Sequence, residues 1–191
     1  NMKKGRILVF SAPSGSGKTT LVHYLMQHTP NLHFSVSATS RPPRGKEQNG
    51  IDYFFLTPAE FKEKISQGDF IEYEEVYQDT FYGTLKSQVE SQLERGENVI
   101  LDIDVKGALN VKNIYGTESL TVFIQPPSVD TLRQRLIDRG TDSLSAIEKR
   151  VAKATYEMTF ADKFDTIIIN DRLEDAQREV LKVVGNFLDN D

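Results

Sequence analysis

Apolar residues gather into short runs at Arg6–Phe10, Val99–Ile103, Leu120–Ile124 and Thr166–Ile169. Runs of this length, with Val and Ile presented to both faces, predict strands buried on both sides. Helical spacing fills the stretches between them. Leu21, Leu25 and Met26 follow the first run and stop before Pro30, and the final segment repeats Leu173, Ala176, Val180, Val184 and Phe187. Buried strands alternating with amphipathic helices predict an α/β core, a parallel sheet with helices on both faces.

Residues 34–84 carry a different pattern. Phe34–Ala38, Asp52–Leu56 and Phe70–Val76 are short, partly alternating and divided by turn-rich segments, which predicts a small antiparallel or mixed sheet inserted into the core. Within it, Thr57-Pro58-Ala59-Glu60 is a capping box with proline at the first helical position, so a helix starts there. From Pro126 to Tyr156 the chain reads as helix, a break at Gly140, and helix again, with an excess of arginine. A polar helical hairpin of this kind over the core would act as a lid. The reading is one domain over 2–191: core at 2–33, 85–125 and 157–191, insert at 34–84, lid at 126–156.

Composition narrows the class. With 191 residues, 38% hydrophobic and 27% charged, the chain has the apolar mass for a core and is neither disordered nor collagen-like. It has no apolar run of about 18 residues that would span a membrane, and the apolar stretch in NMKKGRILVF is too short for a signal peptide. Asn1 ahead of Met2 reads as an added residue. Cysteine is absent, which removes disulfides and thiolate metal sites, and His23, His28 and His33 lack ligand spacing and read as solvated or core-edge residues. A reducing cytoplasm is the expected setting. The net charge of −5 argues against a protein that tracks nucleic acid. Two local cationic clusters remain, Arg41 with Arg44 and Lys46, and Arg133 with Arg135, Arg139, Lys149 and Arg150. Discrete cationic spots on an acidic protein point to small anionic ligands.

The strongest motif follows the first run. Residues 11–20 read SAPSGSGKTT, between a predicted strand and a helix, and approximate the phosphate-binding loop G-x-x-x-x-G-K-[ST] with Ala12 in place of the first glycine. Ala12, Pro13, Ser14, Gly15, Ser16, Gly17, Lys18, Thr19 and Thr20 are therefore the candidate ATP-binding residues. Gly15 and Gly17 let backbone N–H groups turn inward around phosphate oxygens, with the helix N-terminus adding its positive end. Lys18 is placed for the β- and γ-phosphates, and the Thr19 hydroxyl for Mg²⁺. Asp102, at the end of another predicted strand, is placed to act on the metal through water, or else to cap the helix that follows.

The chain resembles the guanylate kinases over essentially its whole length. The carrying segments, in family order, are SAPSGSGKTT, FSVSATSRPPRGKEQNGIDYFF, FIEY, FYGT, ILDIDVKG and RLIDRGTDSLSAIEKR. The resemblance implies a P-loop NTPase-type fold, with a GMP-binding insert and a lid, that transfers phosphate from MgATP to GMP, and to dGMP, giving ADP and GDP in purine nucleotide metabolism. It places Glu72 and Asp104 against the N1–H and N2–H₂ donors of guanine, with the Ser37 and Thr84 hydroxyls donating to O6. Thr84 stands where many members carry serine. Arg41, Arg44, Tyr53 and Tyr82 match the acceptor-phosphate set, where arginine's planar fork suits phosphate. Asp102, Gly83 and Gly107 complete the GMP side, and Asn170 the adenine end of ATP. Lys18, Arg41, Arg135, Arg139 and Arg150 are the implied catalytic cations. Taken alone, Glu72 beside Glu74 and Glu75 reads as a solvated strand face, and arginines flanking Pro42-Pro43 read as loop residues facing water. The expected partners are ATP and GMP alone, with no nucleic acid or membrane, in a monomer or homodimer. Two rivals share the motifs in part: a domain that binds phosphorylated peptides without catalysis, and a kinase for another small acceptor.

Overall fold

A computed structural model of the chain describes residues 3–189, so Asn1, Met2 and the last two residues, with the reading of Asn1 as an addition, lie outside the described residues. In chain order the elements are β1 (Ile7–Ser11), α1 (Lys18–His28), β2 (Leu32–Phe34), β3 (Ala38–Thr39), β4 (Phe54–Phe55), α2 (Pro58–Ser66), β5 (Phe70–Tyr77), β6 (Thr80–Leu85), α3 (Lys86–Glu94), β7 (Asn98–Asp102), α4 (Val105–Tyr115), β8 (Ser119–Gln125), α5 (Val129–Arg139), α6 (Leu144–Met158), β9 (Thr166–Ile169) and α7 (Leu173–Asp189). Five strands form a parallel sheet in the order β2-β7-β1-β8-β9, and four form a mixed sheet in the order β4-β3-β6-β5. Neighbours in the first sheet are not hairpin partners, so each pair needs the helical crossover that defines this α/β class. Among the described residues no helix is long and apolar enough to cross a membrane.

Contacts divide the chain into two compact units, Asn1–Ile7 with His33–Leu101, and Leu8–Leu32 with Asp102–Asp191. In the second, β1 from Leu8 onward is buried at every position and β8 at all but its last. β9 departs from the predicted burial on both faces: Ile168 is buried while Ile167 and Ile169 are exposed. As the end strand of its sheet it has cover on one side only. The expected helical hairpin is present. Ser128 and Ser143 accept the N–H of Thr131 and Ala146 at 3.0 and 3.1 Å, capping α5 and α6. Gly140 ends α5 in the left-handed conformation at φ 70°. Leu132, Leu136, Ile147, Val151 and Ala154 form the buried seam between the two helices.

The first unit holds the mixed sheet. The predicted strand Phe34–Ala38 is two pieces: β2 ends at Phe34 in the large sheet, and β3 begins at Ala38 in the small one. Ser35 marks the parting, its N–H donated to the Ile100 carbonyl at 3.2 Å while Ser37 gives its carbonyl to Phe54 at 2.9 Å. β5 and β6 form an antiparallel hairpin whose turn uses Asp79 at φ 60°. The capping box of α2 is complete, Thr57 Oγ1 accepting the Glu60 N–H at 3.1 Å and Glu60 accepting the Thr57 N–H at 2.9 Å. That helix puts Phe61, fully buried, against the hairpin, stacked on Phe70 at 4.4 Å and Phe81 at 5.1 Å. This aromatic cluster fixes the hairpin that carries several of the candidate residues.

Candidate active site

Each unit holds a cluster of the candidate polar side chains. In the second unit Ala12 to Thr20 line a cavity of about 320 Å³ between β1 and α1. Gly15 and Gly17 take φ of 84° and 81°. A side chain at Gly17 would be strained by that φ and would meet the Asn170 amide at 2.3 Å, so this turn belongs to glycine. No side chain caps α1, so the N–H groups of its first turn face the cavity with the positive end of the helix. The Ser16 hydroxyl is buried and has no hydrogen-bond partner among the described residues. Beneath the loop, the buried Asn170 donates its amide to the Ser16 carbonyl at 2.8 Å.

Lys18 is ion-paired with Asp102, and Thr19 is exposed at the start of α1. Asp104, not Asp102, caps the following helix, one of its oxygens accepting the Gly107 N–H at 2.7 Å. The hairpin of α5 and α6 reaches the same loop. Arg150 donates to Ser14 Oγ at 3.1 Å, and both terminal nitrogens of Arg135 donate to the Asn170 carbonyl at 3.2 Å. Arg139 and Arg150 share Asp142, at 3.2 and 3.5 Å. Among the described residues no three His, Asp or Glu side chains are grouped to hold a metal, so Thr19 and Asp102 are a sparse donor set.

One residue here was passed over in the sequence. Glu157 is 8% exposed and follows Ile147, Val151 and Ala154 on the buried stripe of α6. Burial pushes its carboxyl above the usual glutamate range, Lys153 and Lys18 pull it down, and the Asp104 charge adds to the push. The signal available in advance was helical spacing that puts a carboxylate on an apolar face.

In the first unit the arginine–tyrosine cluster is built on the β5–β6 hairpin and the loop after β3. Arg41 is held on every side. Its Nε–H donates to Tyr82 Oη at 3.0 Å, Nη1 to the Pro42 carbonyl at 3.0 Å, and the terminal pair to both oxygens of Glu47 at 2.7 and 3.0 Å. Its guanidinium lies 4.9 Å from the Tyr53 ring, which meets Tyr82 edge-on at 5.9 Å. Arg44 is exposed and gives its backbone N–H to Glu47 at 2.8 Å. The Arg41 guanidinium, and then that Arg44 N–H, hold the Glu47 carboxyl down at about 2, while Glu47 and Tyr82 hold the Arg41 pKa above its usual value.

Along β6, Thr84 is buried and donates its hydroxyl to Glu72 at 2.7 Å. Tyr82 and Thr84, two residues apart, lie on one face of β6, with Glu74 and Glu72 opposite them on β5. Gly83 between them lets β5 pass, because a Cβ there would meet the Glu72 carbonyl and the Phe70 ring at 2.8 Å. Ser37, partly buried just before β3, carries no role in this network beyond its carbonyl.

The chain is similar to known proteins over nearly its whole length. The family model for guanylate kinase matches residues 4–186. The guanylate kinase of Bacteroides fragilis is 57% identical over 185 residues, 97% of this chain and 91% of the relative. That of Bacteroides thetaiotaomicron is 58% identical over 184 residues, 96% of this chain and 90% of the relative. A crystal structure of guanylate kinase from Anaplasma phagocytophilum matches with a TM-score of 0.70 at 28% identity, covering 98% of this chain and 88% of that one.

Proposed function

Because the chain belongs to the guanylate kinase family, and is thereby a nucleoside monophosphate kinase, we propose that it transfers the γ-phosphoryl group of MgATP to GMP, and to dGMP, giving ADP and the diphosphate. The observation that carries the acceptor assignment is the β6 face. It puts a phosphate-suited cluster, Tyr82 with Arg41, two residues from a base-suited pair, Thr84 with Glu72. A carboxylate accepts from the N1–H and N2–H₂ of guanine and repels the N1 lone pair of adenine. Thr84, whose proton goes to Glu72, steadies that carboxylate. Ser37 supplies a donor to O6, and Asp104 keeps an oxygen beyond its cap for the base. Arg44 and the hydroxyls of Tyr53 and Tyr82 join Arg41 at the acceptor phosphate, while Gly83 and Gly107 allow close backbone approach.

On the donor side, backbone N–H groups from Ala12 to Thr20 cradle the ATP phosphates and Lys18 spans the β- and γ-groups. Asn170 acts on ATP through the loop it braces. Arg135, Arg139 and Arg150 neutralise charge on the group in transfer, which asks the protein for positioning and counter-charge rather than a covalent intermediate. Thr19 and, through water, Asp102 would hold magnesium, which would offset the charge of the phosphates; the small set suits an ion that keeps waters and phosphates as ligands. In this reading 34–84 is the GMP-binding insert and 126–156 the lid, and the chain works in the cytoplasm as a monomer or homodimer on these nucleotides, in purine nucleotide metabolism, without nucleic acid or membrane.

A coupled assay for ADP formation with GMP, dGMP, AMP, CMP and UMP, and a metal-free control, tests the proposal. Turnover is expected with the guanine nucleotides only, and none without metal. Turnover with another base would overturn the roles of Glu72 and Asp104. No turnover by folded protein that binds GMP would overturn the catalytic reading in favour of a binding domain.

A further inference from the structure

The carboxylate of Glu47 has no place in the functional reading above, yet it is hydrogen-bonded to both arginines of the acceptor-phosphate cluster. Its two oxygens take the terminal N–H pair of Arg41 in a bidentate fork at 2.7 and 3.0 Å. The first oxygen also accepts the Arg44 N–H at 2.8 Å, and the Glu47 N–H returns to the Arg44 carbonyl at 3.0 Å, closing a tight turn. The side chains are largely covered, Arg41 at 9% and Glu47 at 25% exposure. A guanidinium has five N–H donors. The Pro42 carbonyl, Glu47 and Tyr82 take four of them.

An arginine held in this way cannot swing its fork onto a phosphate without stranding the Glu47 carboxylate beside a second anion. Its value to the site is different. The Nε–H of Arg41 lies on the Tyr82 oxygen, so that oxygen is already an acceptor and its own proton is left to donate outward. The positive charge on the accepting side makes the hydroxyl a stronger donor. We propose that Glu47 is a positioning residue for the acceptor phosphate: it locks Arg41 so that Tyr82 donates its O–H proton to the phosphate, with Arg44 and the remaining Arg41 N–H beside it. The inference rests on the assignment of this cluster to the phosphate of GMP.

The test compares wild type with Glu47→Gln, which keeps shape and removes charge, and Glu47→Asp, which keeps charge and withdraws it by one methylene. For each, KM for GMP, KM for ATP, kcat, and binding of GMP and of guanosine would be measured. In Glu47→Gln, KM for GMP is expected to rise by about tenfold or more, with GMP binding weakened in step, because a charge-assisted fork is lost. KM for ATP should move less than about twofold and guanosine binding should stay at the wild-type value, since neither ligand uses the acceptor-phosphate cluster. Glu47→Asp should fall between the two. An unchanged KM for GMP would overturn the proposal. A lower KM would also overturn it, by making Glu47 a competitor that phosphate displaces. Guanosine binding lost in parallel with GMP would reduce the residue to a structural part. Equal binding of GMP and guanosine by wild type would instead overturn the phosphate assignment itself.

Discussion

In the proposed function, the phosphate loop and the β5–β6 hairpin would serve anions with different material. At the loop, the groups that would meet phosphate are main-chain N–H donors and a helix end, held by glycines at positive φ and one lysine. At the hairpin, the polar groups are side chains drawn from distant positions, and each is held by another side chain: Arg41 by Glu47, Glu72 by Thr84, Tyr82 by Arg41. A backbone cradle tolerates change at most of its side chains and fails at the few that set its shape or charge. A side-chain network spreads its tolerance differently, because removing one member releases its neighbour. The mutations that follow separate these two behaviours.

The largest effect is expected at the loop. In the proposed reading Lys18→Ala removes the side-chain charge that would span the donor phosphates, and turnover should fall by at least about 10³-fold, as it does when a preorganised donor to a developing charge is lost. The fold and GMP binding should survive, since the Asp102 left behind is 41% exposed and meets water. Steady-state kinetics beside a thermal melt would check this, and near-normal turnover would remove the loop from the reaction. Next comes the scaffold of the hairpin. Phe61→Ala empties a fully buried site stacked on Phe70 and Phe81, at a cost of about 3–5 kcal/mol read from urea unfolding. Binding of GMP should weaken before binding of ATP does.

Smaller and more specific is Glu72→Gln. The amide turns a donor toward the donors of guanine, so kcat/KM for GMP should drop by roughly 10²-fold with stability nearly kept. Thr84→Val, which removes the hydroxyl donated to that carboxylate, should cost about tenfold. Equal losses for AMP and GMP in either variant would mean that the pair does not read the base.

The same contrast explains what could be read along the chain. The loop is contiguous, so strand, glycines, lysine and helix start were all visible in SAPSGSGKTT, as were the capping box at Thr57 and the break at Gly140. Local chemistry decides those features. The hairpin network is not local: Arg41 and Tyr82 meet across 41 residues, and Glu72 carries no local mark that separates it from Glu74 and Glu75. Only the likeness to a family singled out those side chains, and it left Glu47 unremarked. Strand β6 and the parting of β2 from β3 were missed because the choice of sheet partner is a long-range matter, which short alternating runs do not encode.

The smallest effect is also the one that opposes the two regions most directly, through pH. Glu47 at the hairpin is held down to about 2 by Arg41 and Arg44, whereas Glu157 behind the loop is pushed up by burial. For Glu47 the unfolded chain takes up protons first as pH falls, so its contribution is whole above the ordinary value of 4.5 and disappears as pH drops toward 2. For Glu157 the folded chain protonates first. It costs nothing when both states are protonated, below 4.5, and its cost grows as pH rises above that value and stays constant beyond the raised folded one. Glu47→Gln should therefore melt below wild type at neutral pH and approach it in acid, modestly because the pair is partly solvated. Glu157→Gln should melt slightly above wild type at neutral pH and converge on it near pH 4. Melting curves from pH 3 to 8 would show the two differences with opposite sign. If Glu157→Gln instead melts lower at neutral pH, the attraction of Lys18 and Lys153 outweighs burial, and the carboxylate belongs to the charge network of the loop rather than to the packing of α6.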